Sequence, residues 1–354
     1  MINLEDLESL DKKLIELGKN IRPLYYIEPQ NREDQKMRFL AGNIKNPEFS
    51  YRSLEYDPEK VERELKSIEV SYEGLGNIFM IKKINMVLMN NIIANRGNGE
   101  IVRSATILIH NTPDEKLVSY ADGLLKKIPA QGAEKIISSD LIGMNLKEAL
   151  EKYGILDWKI IFSDKELTAV NAARKEISIC KTRLFSKIDP ERLKVHEIGV
   201  HVLRAANGYE QPLGIFATGL PRYDSTEEGL TLYFENKTGS TNDELMRDYA
   251  ARVIAVDSVC KGLDFRNTFD RLKSYDLTDD QAWNLAVRGH RGGGYIKDHI
   301  YLQGLLKIMD FERTDGDFKT LYIGKIGIED LPLVRELIKE GTLKKAKYLP
   351  DFLN

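Results

Sequence analysis

Thirteen residues, 189–201, constrain this chain more than any other stretch; they read Asp-Pro-Glu-Arg-Leu-Lys-Val-His-Glu-Ile-Gly-Val-His. Asp189 suits a helix start, and Pro190 suits the first helical position, where a missing N–H costs nothing. His196, Glu197 and His201 fall on that helix, and Gly208 stands where it can end. Two imidazoles with a carboxylate beside the first make the donor set of a zinc hydrolase site. The usual pattern is H-E-x-x-H, whose i, i+4 spacing puts both rings on one helix face. Here the pattern is H-E-x-x-x-H. On a regular α-helix an i, i+5 pair lies roughly 140° apart, too far round for one metal ion. A single wide turn with i→i+5 bonding brings the pair together, and such turns favour functional sites. Gly199 offers a deformable backbone between the histidines. A distorted turn over 198–200 is therefore expected.

Paired histidines on a helix also arise from packing, so the rest of the chain matters. Its five histidines make this clustering unusual for the composition. A length of 354 residues allows one large domain or two ordinary ones, and 42% hydrophobic with 30% charged residues describes a soluble globular chain. The net charge of −3 gives no general drive toward nucleic acid or an anionic membrane, and neither is expected as a partner. Cys180 and Cys260 form no spacing motif, which argues against a disulfide framework or a cysteine-based metal site. The first residues lack the basic and apolar regions of a secretory signal. The most apolar run, 78–93, is broken by Lys82 and Lys83 and is too short to span a bilayer. A cytoplasmic location is the expectation.

Helical spacing marks 1–20, and Asp57-Pro58 opens a helix with Val61, Leu65 and Ile68 on one side. A core helix is expected over 78–93, and 21–56 is expected to be irregular with one short helix. The β-branched run 105–110 reads as a strand, and 112–115 starts a helix carrying Leu117, Tyr120 and Leu124. A short helix is expected over 145–153. Strands are expected at 158–162, 168–170 and 176–180, a small sheet just before the histidine helix. That order matches zinc peptidase folds, in which an edge strand holds an extended substrate by main-chain hydrogen bonds. The fold class expected is α+β, mostly helical and zincin-like, with a small sheet beside the active-site helix. An N-terminal helical region, 1–100, would pack with a catalytic region, 101–354. Beyond Gly208, a connection with Pro212, Gly214, Gly219 and Pro221 leads to a helix capped at Ser225-Thr226. Helices then follow over 242–260 and from Thr278. A flexible loop, 290–295, feeds a helix with Lys297, Asp298 and Tyr301. A strand over 321–326 and a helix over 329–340 close the chain.

A catalytic zinc site takes three protein ligands and keeps a fourth position for water. Glu227 and Glu228 open the helix after the connection. Adjacent helical residues point about 100° apart, so only one can face a metal. Acids in a first helical turn are also favoured by the helix dipole.

The pattern His196-Glu197-Ile198-Gly199-Val200-His201, followed by Thr226-Glu227-Glu228-Gly229-Leu230, resembles the microtubule-associated tyrosine carboxypeptidase family. Bacterial members carry the label flavohaemoglobin expression-modulating proteins, with a Gln-Glu-Gly-Leu-Ala motif. The resemblance covers most of the chain and is strongest over about 177–305. It implies His196, His201 and Glu228 as ligands of one zinc ion per chain, with Glu197 as the base. Thr231 departs from the motif, which has Ala there, a small change that leaves the ligand in place.

The resemblance implies a metallo-carboxypeptidase whose substrate is a peptide or protein C-terminus. In such a reaction zinc-bound water loses its proton to Glu197, which passes it to the leaving amine. The oxyanion then needs another donor. Lys297 and Tyr301, four apart on an expected helix, could supply it, and the family carries a Lys-Asp-x-x-Tyr segment here. His290 and His299 are further candidates, either as donors or as partners of the ligands. A terminal carboxylate calls for a cation, and Arg222, Arg288 and Arg291 offer bidentate forks. Gly292-Gly293-Gly294 lacks the surroundings of a nucleotide-binding loop. Two rivals stand beside this reading. One keeps the site for another metal-dependent peptidase or amide hydrolase. The other is a non-catalytic metal-binding regulatory protein, against which an intact Glu197 argues.

Overall fold

The computed structural model describes residues 4–70, 74–130, 132, 134–163 and 168–353. It is α+β and mostly helical, with small sheets. The contacts divide the chain into two compact units interleaved in sequence. One comprises 1–15, 132–242 and 304–354; the other comprises 16–131 and 243–303. This partition does not follow a cut at residue 100. Among the described residues no helix is long and apolar enough to cross a membrane.

The first unit carries the sheets and the histidine helix. The strands are β1 (Lys135–Ile137), β2 (Lys159–Ser163), β3 (Ala169–Asn171), β4 (Glu176–Cys180) and β5 (Phe185–Ser186). Strand β4 is the middle of a three-stranded sheet, parallel to β2 and antiparallel to β3. Its Ile177 and Ile179 are fully buried, as expected of a central strand. Strands β1 and β5 pair separately, antiparallel. Strand β3 packs against the histidine helix, so the expected layout of sheet beside helix is present.

The second unit is helical. Asp57 caps Pro58–Lys66 by accepting from the Glu59 and Lys60 amides, and Thr278 and Gln281 form a capping box for Asp279–His290. Its core includes Phe39, Phe265 and Trp283, with ring centroids 4.9–5.3 Å apart. Fully burying such a side chain contributes about 1.5–3 kcal/mol. Region 21–56 holds two short helices, Pro23–Ile27 and Arg32–Leu40, where one was expected.

Two expected strands are absent. Residues 105–110 end the helix Gly99–His110, whose buried residues Val102, Ala105, Thr106, Ile109 and His110 repeat at the helical period. The packing face overrode the β-branched composition. Residues 321–326 form the end of a short helix, Phe318–Leu321, and a buried irregular run. Its backbone pairing is local: the Lys325 amide donates to the Phe216 carbonyl, and the Lys325 carbonyl accepts from Leu220.

Candidate metal centre

Residues Lys194–Val202 form a π-helix, so the wide turn expected around 198–200 is part of a longer one. It brings the His196 and His201 ring centroids to 4.9 Å. Two neighbours hold the turn. The buried Tyr322 hydroxyl donates to the Gly199 carbonyl at 2.9 Å. The Phe352 ring lies where a Gly199 side chain would start, 2.9 Å from an added Cβ. Close approach, more than backbone freedom, is what requires glycine there. The helix runs on as Leu203–Tyr209, through Gly208 and not ending at it. An added Cβ at Gly208 would stand 2.2 Å from the Phe216 carbonyl oxygen, so this glycine admits another backbone.

Glu228 comes from the helix Tyr223–Lys237, which starts before Ser225-Thr226, at an Arg222 in the left-handed conformation (φ 65°). Glu227 and Glu228 thus lie in its second turn, where the dipole explanation for acidic residues weakens. Position is fixed by a close crossing: an added Cβ at Gly229 would stand 2.3 Å from the Gly304 carbonyl oxygen. The two acids diverge as helical geometry requires. Glu228 Oε2 lies 3.9 Å from His196 Nε2 and 3.9 Å from His201 Nε2. That oxygen is buried and has no hydrogen-bond partner. Donors of a tetrahedral zinc site with bonds near 2.0–2.1 Å stand about 3.4 Å apart, so small side-chain movements suffice to close this set. Glu197 is buried beside them, and His196, Glu197 and His201 can each offer a donor atom within 4.8 Å of the others. An orphaned carboxylate oxygen facing two imidazole nitrogens fits a divalent metal.

The outward nitrogen of each ring is also held. His196 Nδ1 lies 2.7 Å from Glu235 Oε1, and His201 Nδ1 lies 2.7 Å from Glu227 Oε1. A carboxylate at Nδ1 fixes the tautomer that leaves Nε2 as a metal donor. Burial opposes ionisation of Glu227, but Lys325, Arg204 and the bond to His201 hold its carboxyl well below the ordinary range. Arg204 Nη1 donates to Glu227 at 2.6 Å, and the Lys325 ammonium also contacts it. Glu235 meets Arg192 at 3.4 Å, and Arg192 in turn pairs with Asp189. Asp189 is therefore no simple helix cap: it accepts from the Ser186 amide and hydroxyl and orients Arg192. Burial lowers the His196 pKa, yet Glu235, Glu197 and Glu228 together carry it above the ordinary histidine value. The three carboxylates around His196 thus favour a positive charge on its ring.

Glu235, Glu227 in this role, Arg204, Arg192 and Lys325 were not found from sequence. One signal was there for Glu235: it lies seven residues after Glu228, two turns along the same helix face, in an otherwise apolar run.

A family model described as microtubule-associated tyrosine carboxypeptidase matches residues 37–354. The chain belongs to this family. Among curated proteins it is 33% identical over 175 residues to microtubule-associated tyrosine carboxypeptidase 1 of Rattus norvegicus, covering 45% of this chain and 35% of that protein. It is 24% identical over 358 residues to the putative tyrosine carboxypeptidase MATCAP2 of Mus musculus, covering 94% of this chain and 60% of that protein. The chain thus spans about a third to three fifths of the length of these relatives. No solved structure gives a significant match.

The remaining candidates divide between the units. Arg222 is exposed at the start of the Glu228 helix. Lys297, Tyr301, Arg288 and Arg291 belong to the other unit. The helix there is Ile300–Thr314, so Lys297 precedes it and does not share a helical face with Tyr301. Tyr301 stacks on Tyr249 at 5.4 Å, with the Arg252 guanidinium 4.9 Å from its ring. Arg288 is paired with buried Asp298, and Arg291, itself buried, lies 3.4 Å from Glu28 and 3.9 Å from Asp298. Their forks are already engaged. The 290–295 loop is packed, with Arg291 and Tyr295 buried. His290 Nε2 bonds Thr268 at 2.9 Å, and burial with Arg103 nearby lowers its pKa to about 4. His299 is fully buried.

Proposed function

We propose that this chain is a zinc-dependent carboxypeptidase with a zincin-like centre, in which His196, His201 and Glu228 hold one metal ion. The observation that carries this reading is the single buried Glu228 oxygen, unpartnered and equidistant from both Nε2 atoms. Zinc so held would supply a Lewis acid and a water whose pKa falls toward about 7. Glu197 stands beside a ligand and takes the water's proton, then passes it to the leaving amine. Glu235 and Glu227 keep both rings in the tautomer that presents Nε2. Arg222, exposed at the head of the Glu228 helix, is the fork for the substrate's terminal carboxylate. Relatives named tyrosine carboxypeptidases support a substrate ending in tyrosine.

The test is metal content together with peptide hydrolysis. Wild type should carry one zinc per chain and release the last residue of tyrosine-ended peptides. Glu228→Ala should lose the metal, by more than the roughly 100-fold in affinity that an outer partner costs. Glu197→Gln should keep the metal and lose turnover. Wild-type protein that takes up no metal on titration would sink the reading. Cleavage within peptides, without release of the last residue, would replace carboxypeptidase by endopeptidase.

A further inference from the structure

The family match begins at residue 37, yet the helix Leu4–Gly18 reaches the segment that supports the metal centre. Asp11, on that helix, is 4% exposed. Its Oδ2 accepts from the Gly214 amide at 2.5 Å and its Oδ1 from the Ile215 amide at 3.0 Å. Gly214 is pinched from the same side: an added Cβ would meet Ile15 at 2.7 Å and Asp11 at 3.2 Å. Asp11 therefore holds the first turn of Ile215–Thr218, a four-residue helix with no capping side chain of its own.

That short helix is the seat of Lys325. The Phe216 carbonyl accepts from the Lys325 amide at 2.7 Å, and the Leu220 amide donates to the Lys325 carbonyl at 2.9 Å. An added Cβ at Gly324 would stand 2.8 Å from the same Phe216 oxygen, so the two segments cannot slide freely. Lys325 then places its ammonium on Glu227, whose carboxylate holds His201. Each link is a directed bond to a buried or half-buried group, and breaking it costs the buried partners a hydrogen bond.

We propose that Asp11 is a positioning residue for the metal centre, acting through Gly214, Ile215, Lys325 and Glu227 on the orientation of His201. The proposal rests on the metal reading above. Removing Asp11's acceptors leaves the half-buried Gly214 amide and the buried Ile215 amide without their acceptor, loosens the seat of Lys325, and lets Glu227 and His201 drift from the ligand geometry.

The experiment compares Asp11→Ala, Asp11→Asn, Gly214→Ala and Leu7→Ala with wild type. Leu7 is a buried residue of the same helix without a polar contact role, so its variant reports on loss of packing alone. Three readouts are taken: amide exchange at Gly214, Ile215, Leu220 and Lys325 in metal-free protein, zinc affinity, and the absorption spectrum of the cobalt-substituted protein. Asp11→Ala and Gly214→Ala should speed exchange at these amides, weaken zinc roughly tenfold, and alter the cobalt spectrum. Asp11→Asn keeps one acceptor oxygen and should fall between them and wild type. Leu7→Ala should lower Tm while leaving affinity and spectrum as in wild type. If Asp11→Ala folds with wild-type affinity and spectrum, or if Leu7→Ala weakens zinc as much, the proposal fails. Wild type that binds neither metal is a different failure, that of the metal reading itself.

Discussion

In the unit that carries the sheets, buried carboxylates meet imidazoles as well as cations; in the other unit, a buried carboxylate meets guanidinium groups. Asp298 is 5% exposed and lies among Arg288, Arg291 and Arg252. Burial opposes its charge, and those three cations hold its carboxyl well below the ordinary range. Arg252 pairs in turn with Asp248, and Arg291 with Glu28. Its charges are matched by neighbours within the unit. Around His196 and His201 they are not: Glu235 and Glu227, themselves held by Arg192, Arg204 and Lys325, satisfy the outer nitrogens, while Glu228 keeps an unpartnered oxygen toward the inner ones. Buried charge alone does not mark a site. What sets this cluster apart is donor atoms that converge on one point, a buried carboxylate oxygen without a hydrogen bond among them.

Lys325→Met tests the contrast hardest. It removes one of the two cations on Glu227 and should cost about 3 kcal/mol of stability by urea unfolding. It should also weaken zinc by about 10–100-fold. Both losses in one variant tie the outer charges to the metal; a stability loss with unchanged affinity would reduce the cluster to a structural ion pair.

Asp298→Asn should cost about 2–3 kcal/mol and leave zinc affinity unchanged. Its pH signature has a definite sign. A carboxyl whose folded pKa is depressed contributes stability that is present above its unfolded value, about 3.9, and lost as pH falls through the folded value. Wild type should therefore lose stability more steeply than Asp298→Asn on acidification below about pH 4. Parallel curves would break the assignment of that charge to folding.

The smallest effect concerns Asp330, in the histidine-bearing unit. Burial raises its pKa to about 6, while its Oδ2 accepts from the Gly327 amide at 2.7 Å. Here the folded value is the higher one, so stability falls as pH rises from about 4 to about 6, where only the unfolded chain has ionised. Asp330→Asn should flatten that fall and leave the protein about 1 kcal/mol more stable at pH 7, after discounting for its partial exposure. A variant less stable at pH 7 would show that the bond to Gly327 outweighs the burial.

The wide turn was legible because it depends on short-range spacing: an i, i+5 histidine pair that shares one face demands it, and one turned up. The choice between Glu227 and Glu228 came from resemblance, since helical geometry says only that the two diverge. Glu235, Arg204 and Lys325 act over separations of 39, 23 and 98 residues, and no local pattern connects them to their partners. The strand expected at 105–110 failed because tertiary packing decided what β-branched residues leave ambiguous. Lys297 was misplaced for a simpler reason: the helix begins only at Ile300, which takes in Tyr301 and leaves Lys297 outside.

The π-helix can also be viewed as an insertion. Deleting one residue from 198–200 would restore the commoner H-E-x-x-H spacing, and both rings could then align on an ordinary helix. Because the wide turn absorbs its extra residue, the helix beyond it would keep nearly the same facing. Arg204, which donates to the Leu321 and Ile326 carbonyls as well as to Glu227, would keep its direction. Asn207, which binds the backbone of Lys347 and Tyr348, would do the same. What holds the extra residue is therefore the turn itself: the Tyr322 hydroxyl would lose the Gly199 carbonyl, and the Phe352 ring would lose the backbone it lies against.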